Sequence, residues 1–288
     1  ISLFKERQIP YIIAYNKSDL MIDSPISKEN EIYISAKDNQ NINELKEMIA
    51  KLAKKSKNQK ELIADLLSPG DIVVLVMPID SSAPKGRLIL PQQQTIRAIL
   101  DIGGIVVSCQ DSELKQTLAS LSKQPKLVIT DSQAFQKVAK DVPENILLTS
   151  FSILFARYKG DIEEVVKGAT QLDYLQDGDI VLISEGCTHH RQCEDIGTVK
   201  LPRWIQEYTG KDIQFVFTSG TEFPKELPYS LIIHCGGCML NQKEMNYRIQ
   251  YANQKQVPIT NYGLAIAHMN GILYRSLKPF PNLLELFD

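Results

Sequence analysis

Asp71-Ile72-Val73-Val74-Leu75-Val76-Met77 is an unbroken run of β-branched and aliphatic residues. Such a run reads as a strand buried on both faces, the kind that parallel sheets contain. Three similar runs follow at residues 104–109, 126–130 and 145–149, and stretches of helical pattern at 92–100, 112–121 and 132–140 separate them. Alternating strands and helices predict a parallel α/β sheet. The alternation resumes downstream, with strands expected at 179–184, 213–218, 229–233 and 258–261 and helices at 162–172, 202–209, 239–252 and 264–274. The expected fold class is therefore α/β, with two consecutive, mainly parallel-sheet domains. The polar loop 78–87 between the first strand and its helix reads as an exposed connector.

Bulk properties agree with a soluble globular chain. The 288 residues are 43% hydrophobic and 23% charged, and that length accommodates two or three domains. A net charge of −2 gives no basic surface for nucleic acid. No apolar run approaches the ~20 residues that span a bilayer. Five cysteines, an odd number lying close to histidines, fit metal ligation in a reducing cytoplasm better than a disulfide framework.

Three of those cysteines form a broken constellation, Cys187-Thr188-His189 and then His234-Cys235-Gly236-Gly237-Cys238. Thiolates beside imidazoles are a soft-metal donor set. Cys235 and Cys238 have the spacing that lets two sulfurs of one turn reach a single centre, and Cys187 arrives from another strand. Spacing alone leaves two metals open. Cys187, His189, Cys235 and Cys238 would close a Cys3His zinc site, whereas three cysteines with one open position suit an iron–sulfur cluster. A thioredoxin-like redox pair would have no use for the Cys-x-His partner. Both ligand groups fall just after expected strands, at the sheet edge where α/β proteins bind ligands. Cys238 is expected at a helix N-terminus, whose dipole favours a thiolate. Cys109 reads as an inert buried thiol and Cys193 as a bystander.

The first residues carry a different signal. A short strand at 10–15 runs into Asn16-Lys17-Ser18-Asp19, and a second at 31–34 runs into Ser35-Ala36-Lys37. Asn41 and Glu44 then form a capping-box-like start to a helix with Ile42, Leu45, Met48, Ile49 and Leu52 on one face. N-K-x-D followed by S-A-K, each at a strand end, resembles the guanine-recognition half of a P-loop GTPase. The resemblance implies that Asp19 reads the guanine edge, Asn16 and Lys17 frame the ring, and the Ser35-Ala36-Lys37 loop donates to the base oxygen. No G-x-x-x-x-G-K-[ST] loop occurs in the 288 residues, so the phosphates have no cradle. The chain opens at Ile1 rather than Met, and the expectation is a C-terminal GTPase fragment whose front part is missing. Residues 54–60 read as helix end and linker.

Cys-x-His, a gap of 44 residues after His189, then His-Cys-x-x-Cys, carried downstream of a GTPase motif, resembles the HydF family of GTPases that help mature FeFe-hydrogenases. The stretch Ile196-Gly197-x-Val199-Lys200-Leu201-Pro202 is similar as well. This resemblance implies a GTPase fragment over 1–57, a dimerisation domain over 58–158 and a cluster domain over 159–288. It also implies a 4Fe–4S cluster on Cys187, Cys235 and Cys238, with His189 and His234 as weak fourth ligands or tuning groups. Further implications are GTP binding only with the missing part of the domain, a cytoplasmic homodimer, and a scaffold that passes a di-iron precursor to apo FeFe-hydrogenase alongside other maturation proteins. The rival function is a switch GTPase with a structural zinc module. A redox enzyme is weaker, because no second-cofactor motif accompanies the cysteines.

Overall fold

The computed structural model describes residues 1–6, 9–21, 29–55, 60–79, 88–186, 195–220 and 223–287. The chain divides into two compact units, Ile1–Gln59 and Lys60–Asp288.

The smaller unit holds helix α1 (Ser2–Glu6), strands β1 (Ile13–Tyr15) and β2 (Glu31–Tyr33), and helix α2 (Ile42–Lys55). β1 and β2 pair in parallel, and Tyr15 stacks on Tyr33 with ring centroids 4.8 Å apart. Asn41 departs from the expected capping box. It adopts φ 56°, and its side-chain amide donates to the Tyr33 carbonyl at 2.9 Å. The residue therefore ties the helix start to the end of β2.

In the larger unit, strands β3 (Ile72–Val76), β4 (Ile105–Cys109), β5 (Leu127–Thr130) and β6 (Leu147–Ser150) alternate with helices α3 (Leu90–Asp101), α4 (Leu114–Ser120) and α5 (Phe135–Asp141). Helix α6 (Phe151–Lys159) follows β6 without a break, capped by the Ser150 hydroxyl accepting from Ile153 N–H. Then come α7 (Ile162–Thr170), β7 (Ile180–Ser184), a π-helical turn (Ile196–Lys200) leading into α8 (Leu201–Thr209), and β8 (Gln214–Thr218). β9 (Leu231–His234), α9 (Gln242–Gln254), β10 (Ile259–Asn261), α10 (Tyr262–Met269) and α11 (Leu273–Leu277) complete it.

Two four-stranded sheets result, in the orders β4-β3-β5-β6 and β10-β9-β7-β8, and every pairing is parallel. The fold class is α/β, and both sheets share one topology. In each, the first strand sends the chain to one neighbour and then to the other side. Successive residues of β7 and β9 point to opposite faces. Val181, Ile183, Leu231 and Ile233 pack with Leu201 and Ile205 on one side, while Leu182 and Ile232 join the core that also holds Val73, Val74, Leu127 and Leu154. One apolar core thus runs through both sheets.

The run at 104–109 is not the buried strand its composition suggests. β4 is an edge strand whose residues are exposed or half-buried; Ile105 is 49% exposed, and Cys109 is half-buried. Apolar composition alone does not separate an edge from a centre. Residues 80–87 of the loop after β3 and residues 56–59 of the linker lie outside the described residues. Among the described residues no helix is long and apolar enough to cross a membrane.

Candidate metal centre

β7 lies between β8 and β9, so the second sheet's topological switch point falls at the carboxyl ends of β7 and β9. Ser184 and His234 are paired there, and Cys235 N–H donates to the Ser184 carbonyl at 2.9 Å. The chain then turns through Cys235-Gly236-Gly237-Cys238. Gly237 has φ 59°, a left-handed conformation that glycine adopts without steric cost. A side chain there would also come 2.7 Å from the Met245 sulfur.

Two main-chain donors converge on Cys235. Gly186 N–H reaches its Sγ at 3.1 Å and Gly237 N–H at 3.4 Å. Burial pushes the Cys235 thiol up against the pull of these donors. Cys238 is also raised, first by burial and then by its neighbour Cys235. Both sulfurs therefore favour the protonated form.

His234 is 1% exposed. Its Nδ1 lies 2.7 Å from the Cys235 carbonyl oxygen and its Nε2 lies 3.0 Å from Arg248 Nη1. A guanidinium can only donate, so Nε2 accepts and Nδ1 carries the proton. Burial, with Arg248 adding to it, brings the imidazole down to about 4, and the ring is neutral. Arg248 is fully buried, donates from Nε to Glu244 at 3.0 Å, and lies 5.1 Å over the Phe223 ring. Tyr262 donates to the buried Glu185 carboxylate at 3.4 Å; burial raises the phenol well above its usual range.

Lys159, the last residue of α6, reaches the same turn. Its ammonium donates to the carbonyls of Gly237, Cys238 and Leu240, each at 2.8 Å. Beside Cys235 a small apolar cleft opens, walled by Phe155, Lys159, Met245 and Ile249.

Of the expected ligands, Cys235 and Cys238 lie on the turn that follows β9, and His234 is the last residue of that strand. Cys187 and His189, with Cys193 and His190, lie outside the described residues. Among the described residues no group of three His, Cys, Asp or Glu forms a metal cage. The helix expected to begin at Cys238 begins instead at Gln242, where the Asn241 side chain accepts from Glu244 N–H at 2.9 Å. Cys238 thus sits ahead of the cap, and the positive end of α9 is spent on Asn241. Lys159, Arg248, Glu185 and Tyr262 escaped sequence reading; a lysine closing an apolar helix and an arginine inside α9 carry no pattern that marks them as buried.

The hydrogen maturase F dimerization domain matches residues 62–160, and the hydrogen maturase F tetramerization domain matches residues 163–279. The chain belongs to the hydrogen maturase F family. It takes part in hydrogenase maturation and carries the two self-association domains of that family. Comparison with curated protein sequences gives no match. The first parallel sheet, with α6, lies in the hydrogen maturase F dimerization domain; the sheet bearing the cysteine turn lies in the tetramerization domain.

The loops at residues 16–19 and 35–37 lie upstream of both matched ranges. Asn16, Lys17 and Asp19 follow β1, and Ser35, Ala36 and Lys37 follow β2, at the same end of a parallel pair. Asn16 joins the loops, its Oδ1 accepting from Lys17 N–H at 2.8 Å and Ala36 N–H at 3.1 Å. Lys17 takes φ 67°.

Proposed function

We propose that this hydrogen maturase F chain is a scaffold and carrier for FeFe-hydrogenase active-site assembly. In this reading it holds a 4Fe–4S cluster on Cys187, Cys235 and Cys238 and delivers a di-iron precursor to apo-hydrogenase. The observation that carries the reading is the cysteine turn at the switch point, where Cys235 Sγ accepts two main-chain N–H bonds. Such donors around sulfur are a feature of iron–sulfur sites, where they tune the potential. Two sulfurs from one turn, with Cys187 three residues after the end of β7 in sequence, suit a cluster that leaves one iron without cysteine.

His234 is engaged at both ring nitrogens, which favours a role in orienting Cys235 and Arg248 over direct ligation. His189 remains a candidate fourth donor. Residues 1–57 act as a nucleotide-recognition fragment, 58–158 as the homodimer module and 159–288 as the cluster module, in the cytoplasm. GTP binding requires a phosphate loop that these residues do not contain, so the base-reading positions serve only within a completed GTPase domain. Delivery is tested by mixing the loaded chain with apo FeFe-hydrogenase and measuring hydrogen evolution. Activation that tracks the loaded protein, and is lost with Cys238→Ser, supports the carrier reading. Tight binding of one zinc per chain with no activation supports a structural Cys3His module instead.

A further inference from the structure

Lys159 is a buried cation, 7% exposed, and among the described residues its ammonium meets no carboxylate. All three of its hydrogen bonds go to carbonyls of the turn that carries Cys235 and Cys238, and its remaining close partner is the Phe155 ring at 5.5 Å. Removing an ammonium from water costs several kcal/mol, roughly, unless an anion or a full set of acceptors compensates it. Carbonyl dipoles supply part of that compensation, and the nearest groups able to become anionic are the two cysteines. Arg248, the other buried cation of the site, differs in having Glu244 at 3.0 Å. Lys159 also comes from elsewhere in the family architecture. It ends α6, within the range matched by the dimerization domain, while the turn it grips belongs to the tetramerization domain.

We propose that Lys159 is the positioning residue and fixed counter-charge of the cysteine turn, through which the last helix of the dimerization domain holds the metal loop of the tetramerization domain. The inference rests on the cluster reading given above. Three N–H donors on the carbonyls of Gly237, Cys238 and Leu240 hold the backbone on both sides of Cys238 and so set the direction in which it presents its sulfur. The positive charge beneath that turn stabilises whatever anionic centre forms on the two thiolates, and stabilises the more reduced, more negative state most.

The test uses the full chain as wild type, Lys159→Arg, Lys159→Gln and Lys159→Met, each checked for folding by circular dichroism. All are reconstituted anaerobically with iron and sulfide, and the reduction potential is read by EPR-monitored titration. Lys159→Arg is expected to stay at the wild-type value, while both neutral variants move to more negative potential. Gln keeps the two N–H donors of its amide for the turn and is read if Met does not fold. Equal potentials in all the chains overturn the inference. So does an Arg variant that shifts as far as Gln, since that leaves only a hydrogen-bonding clamp. If wild type takes up zinc in place of a cluster, the cluster reading fails by itself, and the same chains are titrated with zinc against a chromophoric chelator. Several-fold weaker zinc binding in the neutral variants alone then upholds the role of Lys159, and equal affinities refute it.

Discussion

Replacing Arg248 with Met puts the electrostatics beneath the cysteine turn to a quantitative test. The guanidinium is fully buried and donates to His234 Nε2 and to Glu244, each at 3.0 Å. Hydrogen bonds involving a charged group contribute about 1.5–3 kcal/mol each, and the Phe223 contact adds about 1 kcal/mol. Met retains much of the apolar stem, which keeps the cavity small, and removes the desolvation cost of the buried cation. Glu244 is partly open to solvent, its side chain 20% exposed, so water screens its charge after the change. Removing one partner of a buried pair costs about 3–5 kcal/mol, and solvent access to Glu244 places the expected loss near the low end, about 3 kcal/mol. For a unit of this size that is a fall of about 6–12 °C in midpoint. Urea unfolding of the metal-free chain at pH 7.5 reads the loss, with the slope unchanged. Adding Glu244→Gln to Arg248→Met is expected to cost less than the sum of the two single changes, by about 1–2 kcal/mol. A single-variant loss under about 1 kcal/mol, or strict additivity, would refute the coupled arrangement of His234, Arg248 and Glu244.

Other perturbations separate packing from charge. A Cβ at Gly168 would lie 2.0 Å from the Ile259 carbonyl oxygen, where α7 meets β10 without side chains between them; Gly168→Ala is expected to cost at least ~2 kcal/mol by forcing the backbones apart, and urea midpoints indistinguishable from wild type would contradict that contact. Burial works to raise the Asp173 carboxyl, but hydrogen bonds from Tyr208 and His268 outweigh it and hold the group below its ordinary value. Its stabilisation is therefore present above the unfolded-state pKa of about 4 and lost as pH falls through the folded value. Asp173→Asn should cost under ~1 kcal/mol at pH 7, given the group's exposure, and nothing near pH 2; a constant difference from pH 7 to pH 2 would remove Asp173 from the acid-linked set. A fluorescent GTP analogue is expected to bind the chain with a Kd of about millimolar or weaker, since base contacts alone leave the triphosphate unsupported; micromolar binding would mean that another part of the chain cradles phosphate.

Periodicity and composition were enough to place the strands of both sheets, because β-branched runs such as Ile72–Val76 have few other ways to be buried. They did not reveal position within a sheet: β4 has the composition of a core strand and lies at the edge, since pairing order is decided by crossovers far away in sequence. Helix α6 went unread because it begins at Phe151, directly after β6, with no Gly or Pro to mark the change. The start of α9 was readable from Asn241 and Glu244, an N-x-x-E pair, but the nearby cysteines drew the boundary too early. The position of the Cys-x-x-Cys turn at the end of a parallel strand was legible, since the β-branched run before it marks the strand. Its supporting charges were not. Lys159 acts from 78 residues before Gly237, and only the folded chain brings the two together.

In the proposed function the turn at Cys235 and Cys238, with Cys187, holds an iron–sulfur cluster. Iron and acid-labile sulfide analysis of anaerobically reconstituted wild type and Cys235→Ser, with visible absorbance and EPR after reduction, tests it most directly. About four irons and four sulfides per wild-type chain, a brown chromophore and their loss in the variant are the expected results. One tightly held zinc per chain and a colourless protein, or a Cys235→Ser chain that keeps its full iron content, would contradict it.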